Sequence, residues 1–249
     1  MSLPVHLVPS LDGVALGDSV TVEGDEAHHA VAVRRLRVGE SVTLTDGAGA
    51  AVTGEVAGTG KRVFTVTVTV RTDDPEPAPR VTVVQALPKG ERGELAVEVL
   101  TEIGAARIVP WAASRSVAIW KGERAEKSLA KWRSTAREAA KQARRAHFPE
   151  VSPMASTAEV AALVAGAAGS VTVVLHEEGA QRLGDVALPA TTQEIIVVVG
   201  PEGGLAPDEI ATFEQAGAIT VRLGAEVLRT STAGVAAVSA LLSRTPRWS

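Results

Sequence analysis

A run that is apolar after its first residue, EIIVVV at residues 194–199, stops abruptly at the glycine-rich turn GPEGG of residues 200–204. A strand that is apolar at nearly every position is buried on both faces, which is typical of a parallel sheet covered by helices. After the turn, Pro207, Asp208 and Glu209 suit the first turn of a helix. The stretch therefore predicts a strand, a turn at its carboxyl end, and a helix.

The same alternation extends over most of the chain. It predicts strands at 80–87, 106–110, 170–175, 194–199 and 219–223, and helices at 91–103, 125–145, 207–216 and 231–242. Gly104 and Gly217 are expected to close two of these helices. The pattern indicates an α/β fold with a mostly parallel sheet, in which ligands bind beyond the carboxyl ends of the strands.

The first 72 residues follow a different pattern. Short β-like runs such as SVTVEG and VFTVTVTVRT alternate with Gly and Asp turns, and only DEAHHAVAVRRLR has helical character. This predicts a small β-barrel. The next segment, DDPEPAP, has the stiffness and polarity of a linker. We therefore expect a barrel domain at 1–72, a linker at 73–79 and an α/β domain at 80–249.

Several classes of protein are excluded or disfavoured by composition. The absence of cysteine excludes disulfides, thiolate zinc sites and cysteine nucleophiles. The N-terminus lacks a signal-peptide pattern, and the longest apolar stretch, 160–175, is shorter than the ~20 residues that span a bilayer. His28 and His29 are adjacent, so their side chains point apart, which disfavours a shared metal. We expect a cytoplasmic protein without a metal or a membrane segment.

Charge is distributed unevenly along the chain. Residues 121–147 contain nine Lys or Arg and three Glu, which is a net charge of +6. Because the whole chain has a net charge of −4, the remaining residues carry −10. Such a basic face favours a polyanionic partner, although a solvated helix surface would look the same. Only 3% of residues are aromatic, so contacts with nucleic acid would depend on Arg and Lys.

A second loop of interest lies in RLGAEVLRTSTAGVAAVSALL, residues 222–242. Thr230, Ser231 or Thr232 can cap the helix that begins there. Arg229 precedes this helix, where the dipole disfavours a cation, so binding a substrate or an RNA phosphate is a reason for its position. The GPEGG turn alone is compatible with a tight connection or with a site. Acids in its following helix, and the absence of nucleotide-phosphate motifs, argue against a phosphate there.

Together, GPEGGLAPDEI and LGAEVLRTSTA closely resemble the signature of bacterial 16S ribosomal RNA uridine-N3 methyltransferases, members of the SPOUT superfamily of S-adenosylmethionine-dependent enzymes. The segments HHAVAVRRLRVGE, ALPKGERGELAVEVLTEIGAARIVPW and REAAKQARRAHFPEV are similar to further family segments in the same order. The resemblance covers nearly the whole chain.

The resemblance implies a PUA-like RNA-binding barrel followed by a SPOUT-type α/β domain with a C-terminal deep trefoil knot. Knots are almost absent from proteins, so pattern reasoning alone would not predict one. It also implies a homodimer that acts on 16S rRNA within the small ribosomal subunit.

The resemblance also places S-adenosyl-L-methionine in three loops. The implied cofactor-binding residues are Leu175, His176, Glu177, Gly200, Pro201, Gly203, Gly204, Leu223, Gly224, Val227, Leu228, Thr232 and Ala233. Aliphatic walls and backbone amides suit adenine, and Glu202 or Glu177 suits the sulfonium charge.

Methylation at N3 of uracil requires loss of an imide proton and stabilisation of the resulting anion. Arg229 is expected to stabilise this anion or place the substrate, and Thr232 to orient the cofactor or base. The family often has Glu where this chain has Ser231. The general base is therefore open, with Glu202 as the default.

RNA recognition is expected from basic side chains in both domains. The predicted helix at 125–145 has a buried stripe that includes Trp132 and a second stripe that is basic. The expected RNA-binding residues are Arg34, Arg35, Arg37, Lys89, Arg92, Arg115, Arg137, Lys141, Arg144 and Arg145.

Two other functions fit parts of this pattern. A ribose 2′-O-methyltransferase or another base methyltransferase would share the knot and the cofactor but differ in its substrate pocket. An RNA-binding assembly module with a vestigial cofactor site would share the basic surfaces. The intact glycine loop argues against the assembly module.

Overall fold

The computed structural model describes residues 3–248, which form two compact units. The first contains the chain up to Glu76 together with Lys141–Phe148, and the second contains Pro77–Ala140 and the chain from Pro149 onwards. Residues 141–148 therefore belong to the first unit, whereas the sequence analysis assigned them to the α/β domain. The domain limits 1–72 and 80–249 stay a prediction.

The first unit is built on a five-stranded, curled sheet. Its strands are β1 (Val5–Leu7), β2 (Ser19–Glu23), β3 (Ser41–Thr45), β4 (Ala50–Thr59) and β5 (Val63–Asp73), in the order β1-β3-β4-β5-β2. All neighbouring pairs are antiparallel except β1 and β3. Helix α1 (Gly24–His28) continues into a π-helical turn at His29–Val33. Alternating side chains of the sheet, including Leu44, Phe64 and Val66, form its core.

Strand β4 bends at two irregularities in its pairing with β5. They lie between Thr53 and Gly54 and between Val56 and Gly58. A Cβ atom on Gly54 would lie 2.2 Å from the carbonyl oxygen of Thr67, so only glycine allows the strands to approach this closely.

The second unit contains a seven-stranded sheet in which every neighbouring pair is parallel. Its strands are β6 (Arg80–Ala86), β7 (Arg107–Trp111), β8 (Glu150–Val151), β9 (Ser170–Leu175), β10 (Gln181–Arg182), β11 (Glu194–Val199) and β12 (Ile219–Arg222), in the order β10-β12-β9-β11-β6-β7-β8. The helices are α2 (Arg92–Glu102), α3 (Glu123–Gln142), α4 (Thr157–Gly166), α5 (Pro207–Gln215) and α6 (Thr230–Leu242). The predicted α/β class is confirmed.

The two faces of this sheet carry separate cores. Ile195, Val197 and Val199 of β11 pack in one core with residues of α2, α3 and α6. Ile196 and Val198 pack in the other core with residues of α4 and α5. Because successive strand residues point to opposite faces, both sets are buried. This explains why β11 is apolar from Ile195 to Val199.

Some local details differ from the expectations. Helix α3 ends at Gln142 rather than 145, since Arg144 adopts a positive φ of 52°. Strands β8 and β10 have only two residues each, which is too short for a periodic signal. The deep trefoil knot implied by the resemblance stays a prediction.

Candidate active site

Three neighbouring parallel strands end at the same edge of the second unit's sheet. The order β12-β9-β11 is adjacent, with Val199 of β11 opposite Leu175 of β9 and Leu175 opposite Val221 of β12. The loops that follow these strands are therefore brought together, as expected for a ligand site in a parallel sheet. They surround a pocket of about 870 Å³.

Most of the predicted cofactor residues line this pocket. They are Leu175, His176, Glu177, Gly200, Pro201, Gly203, Gly204, Leu223, Gly224, Val227, Leu228 and Ala233. Thr232 is absent from the lining, and its hydroxyl donates a hydrogen bond to the carbonyl oxygen of Arg229 at 3.3 Å. The structure therefore brings the three loops together but gives Thr232 a local partner.

The GPEGG loop is shaped by close contacts at its glycines. A Cβ atom on Gly200 would lie 3.1 Å from Cγ of Leu205, and one on Gly203 would lie 3.0 Å from the carbonyl oxygen of Arg115. Gly204 has a φ of +73°, and its N–H donates to the carbonyl oxygen of Pro201 at 2.9 Å. The loop thus presents bare backbone to the pocket.

Helix α5 begins directly after this loop, and its N-terminus is already satisfied. Oε2 of Glu209 accepts a hydrogen bond from the N–H of Ala206 at 2.9 Å, and Asp208 also lies in the first turn. These acids complement the helix dipole. The prediction that a phosphate does not bind here agrees with this arrangement.

Glu202 and Arg229, the other predicted catalytic residues, both line the pocket. Oε1 of Glu202 accepts a hydrogen bond from the backbone N–H of Lys89 at 3.1 Å. The guanidinium of Arg229 is on an exposed residue at the N-cap of α6. The arginines that line the pocket are Arg229 in the loop before α6, Arg92 on α2, Arg115 after β7 and Arg222 at the end of β12.

The expected hydroxyl cap of α6 is wrong. The N-cap is Arg229, which makes no side-chain capping bond, and Thr230 and Ser231 are buried within the first turn. Ser231 is 2% exposed, and its Oγ has no hydrogen-bond partner among the described residues. The turn packs over the sheet instead of ending in solvent: the side-chain amide of Gln85 donates to the carbonyl oxygen of Thr230 at 3.3 Å.

Several further residues line the pocket and were not predicted from the sequence. They are Glu178, Val199, Leu205, Pro207, Ile210, Arg222, Ala225, Glu226 and Thr230. Most of them belong to, or directly flank, one of the three predicted loops, whereas Pro207 and Ile210 come from helix α5. Arg92 and Arg115, which were predicted as RNA contacts, also line the pocket.

Among the other predicted RNA contacts, Arg34, Arg35 and Arg37 are exposed in the first unit, and Lys89, Arg137 and Arg144 are also exposed. Lys141 differs, because its side chain is only 10% exposed. Its Nζ donates to both carboxylate oxygens of Glu26, at 3.3 and 3.2 Å. The helical spacing that suggested an exposed basic stripe could not reveal this distant partner.

Glu26 also contacts His6, whose Nδ1 lies 3.2 Å from Oε1 of Glu26. Burial by itself would raise the pKa of Glu26, but the hydrogen bonds and charges of His6 and Lys141 outweigh it, so the pKa is lowered. The anion is therefore held in place by Lys141, which defines a structural role for this lysine.

Residues 3–248 contain neither a candidate metal site nor a helix that could span a membrane. Within that range, no three His, Asp or Glu side chains are grouped as a metal site would require. In the same part of the chain, no helix combines the length and apolarity needed to cross a membrane.

Comparison with known proteins identifies the family. The sequence profile described as RNA methyltransferase domain matches residues 74–242, and the profile described as RNA methyltransferase PUA domain matches residues 22–69. The chain belongs to the RNA methyltransferase family. The resemblance inferred from the loops and the PUA-like character of the N-terminal part are thereby confirmed.

Members of this family are similar over almost the whole chain. The ribosomal RNA small subunit methyltransferase E of Mycobacterium tuberculosis is 47% identical over 246 residues, which cover 98% of this chain and 92% of that protein. The Bacillus subtilis protein of the same name is 29% identical over 232 residues, 90% of each chain. The crystal structure of the Neisseria gonorrhoeae methyltransferase E bound to S-adenosyl methionine has a TM-score of 0.87 and 28% identity, and 98% of each chain is covered.

Proposed function

We propose that this protein uses S-adenosyl-L-methionine to methylate N3 of a specific uridine in 16S ribosomal RNA. The single observation that carries the proposal is the pocket formed by the loops after β9, β11 and β12, in a member of the RNA methyltransferase family. Relatives of this chain are named as methyltransferases of small-subunit ribosomal RNA, which supports 16S rRNA as the substrate. A relative was crystallised with S-adenosyl methionine, which supports this compound as the cofactor.

The residues on the pocket wall fit this cofactor. Leu223, Val227 and Leu228 provide aliphatic surface for the adenine ring, and the glycine loop offers backbone groups that no Cβ atom shields. At Gly203 a Cβ atom would lie 3.0 Å from the carbonyl oxygen of Arg115, so a larger residue there would have to displace its neighbour. When bound, S-adenosylmethionine supplies a methyl group on a positively charged sulfur and leaves as a neutral thioether.

The protein must then manage the charge and the proton of the uracil. The N3–H bond breaks and an N3–CH₃ bond forms, so the base passes through anionic character that is delocalised onto its carbonyl oxygens. We assign the guanidinium of Arg229 to these oxygens, because it lies on the pocket wall next to the loop that holds the cofactor.

We assign Glu202 as the proton acceptor. Glu177, Glu178, Glu202 and Glu226 all line the pocket. Of these, Glu202 has its carboxylate hydrogen-bonded to the backbone N–H of Lys89, between β6 and α2, which limits where the carboxylate can lie. Ser231 cannot replace the glutamate that is frequent in the family, since a buried hydroxyl is not a general base at neutral pH.

RNA binding is assigned to the exposed arginines and Lys89, with the cytoplasmic small ribosomal subunit as the context of the substrate. Phosphate contacts from such side chains fix the position of an RNA without reading its sequence. We further propose a homodimer that needs no metal, since the reaction requires only the methyl donor, an anion-stabilising cation and a base.

Primer extension on 16S rRNA tests this function. N3-methyluridine cannot form a Watson–Crick pair, so reverse transcriptase should stop at one uridine in wild-type rRNA and read through it when the gene is deleted. Restoring the gene should restore the stop, and the purified protein should produce N3-methyluridine, detected by nucleoside mass spectrometry. Identical profiles from both strains, or a 2′-O-methylated product, would contradict the proposal.

A further inference from the structure

Arg115 contacts the glycine-rich loop that forms one wall of the pocket. Its Nη1 donates hydrogen bonds to the carbonyl oxygens of Leu205 at 3.2 Å and Gly203 at 3.5 Å. The backbone of Arg115 also lies directly against Gly203, where a Cβ atom would come within 3.0 Å of the Arg115 carbonyl oxygen. The side chain is thus committed to the protein's own loop.

Glu209 connects the same two segments from the interior. It is only 4% exposed. Oε2 accepts from the N–H of Ala206 at 2.9 Å, while Oε1 accepts from the N–H of Ser114 at 2.8 Å and from the hydroxyl of Thr157 at 3.3 Å. All three donors are neutral groups, and each would lose its partner if the carboxylate were removed.

The two residues complete a closed set of contacts. Ser114, which Glu209 holds, directly precedes Arg115, and Ala206, which Glu209 also holds, directly follows Leu205. Glycines give this loop more backbone conformations than other residues would. Contacts from both Arg115 and Glu209 are therefore needed to keep the loop in one of these conformations.

We propose that Arg115 and Glu209 are positioning residues that hold the loop at 200–206 in the shape that binds the cofactor. This inference deepens the proposed function and rests on it for the identity of the ligand. It also replaces the role in RNA binding that the sequence analysis gave to Arg115. A pocket whose binding shape is populated for only a fraction of the time has its affinity reduced by that fraction.

Glu209→Gln is a sharp test of the carboxylate. The amide is nearly the same size, but its single oxygen can serve the donors on one side only. Its NH₂ group then faces a backbone N–H on the other side, which is a repulsive contact. Glu214→Gln makes the same chemical change at an exposed position of α5 and is the matched control.

Arg115→Ala tests the guanidinium. Arg92→Ala is its control, because Arg92 lines the same pocket but makes no bond to the loop at 200–206 among the described contacts. Arg115 is exposed, so its removal should not prevent folding, and this variant decides the question if Glu209→Gln does not fold.

Hydrogen–deuterium exchange of the cofactor-free protein gives the first readout. We expect peptides that cover 200–206 to exchange at least about fivefold faster in Glu209→Gln and Arg115→Ala, with the two controls unchanged. Wild-type exchange in both variants would overturn the inference. This readout needs no ligand, so it decides the inference even if the wild type binds no S-adenosylmethionine, a result that would instead contradict the proposed function.

Calorimetry gives the second readout. The Kd for S-adenosylmethionine should rise about tenfold in both variants, which corresponds to a tenfold fall in the fraction of protein whose loop has the binding conformation. The Kd for 16S rRNA should stay within about twofold of the wild type. A variant that weakens RNA binding and leaves cofactor binding and loop exchange unchanged would make Arg115 an RNA contact and overturn the positioning role.

Discussion

Nζ of Lys141 lies 3.2 Å from Oε2 of Glu26, although 115 residues separate the two in the chain. Lys141 lies near the end of helix α3, and Glu26 lies in helix α1. Both residues are part of the first compact unit. Lys141 is 10% exposed and Glu26 is 21% exposed, so the pair is largely removed from water. Its loss should therefore affect stability more than RNA binding.

Lys141→Met should lower the free energy of unfolding by about 1–3 kcal/mol, because a half-buried carboxylate loses its charged partner while the aliphatic stem is preserved. Arg137→Met, at an exposed position of the same helix, should change stability by less than about 0.5 kcal/mol. Urea unfolding measures both. RNA binding should be affected more by Arg137→Met than by Lys141→Met. Arg137→Met should reduce the slope of log K against log salt concentration by about one. Equal stability of the two variants would contradict the structural role of Lys141.

The same pair should make the first unit sensitive to acid. The pKa of Glu26 is lowered in the folded protein, so its contribution to stability is fully present above the ordinary pKa of a glutamate. That contribution is lost as the pH falls from there through the lowered, folded-state pKa. Urea unfolding at successive pH values below neutral should show this loss, and Glu26→Gln should flatten the curve over the same interval. A parallel curve for the variant would refute the assignment.

Arg229→Ala should reduce methyl transfer by about 100-fold or more while the melting temperature stays unchanged, because an anion-stabilising group is lost from an exposed position. Thr232→Ala should retain most of the activity, since its hydroxyl bonds to the neighbouring carbonyl of Arg229 and lies outside the pocket lining. Single-turnover kinetics with saturating cofactor distinguishes the two. Near-normal turnover of Arg229→Ala would remove this residue from the mechanism.

Gly54→Ala should destabilise the first unit by about 1–3 kcal/mol, because the new methyl group would overlap the Thr67 carbonyl at 2.2 Å and strands β4 and β5 would have to separate. Gly58→Ala is the matched control at the other irregularity of β4, where the nearest atom is the side-chain oxygen of Thr65 at 3.3 Å. Thermal unfolding should show a clear loss for the first variant and a small one for the second.

The sequence predicted those elements whose signal is local. The span of β11, 194–199, was predicted correctly because burial on both faces leaves a continuous apolar run, and Gly104 and Gly217 do have positive φ after their helices. The glycine-rich loop and the loop before α6 stood out because each follows a predicted strand, and the resemblance to the family placed the cofactor in these two loops and in a third at 175–177.

Contacts between distant segments could not be predicted in this way. Nothing near Lys141 in the sequence indicates Glu26, and nothing near Ser114 indicates Glu209. The cap of α6 was mispredicted because Thr and Ser are common caps, while burial of Thr230 and Ser231 against the sheet depends on the tertiary fold. The roles of Glu202 and Arg229 stay predictions.

Because Lys141–Phe148 is part of the first compact unit, that unit cannot be completed until residue 148 has been synthesised. A ribosome releases the chain from its N-terminus, so the β-strands up to Asp73 emerge well before the segment that completes their unit. Until Lys141 leaves the exit tunnel, the carboxylate of Glu26 lacks its ammonium partner. The N-terminal sheet is thus synthesised first, but its unit is completed only after strands β6 and β7 of the parallel sheet have been translated.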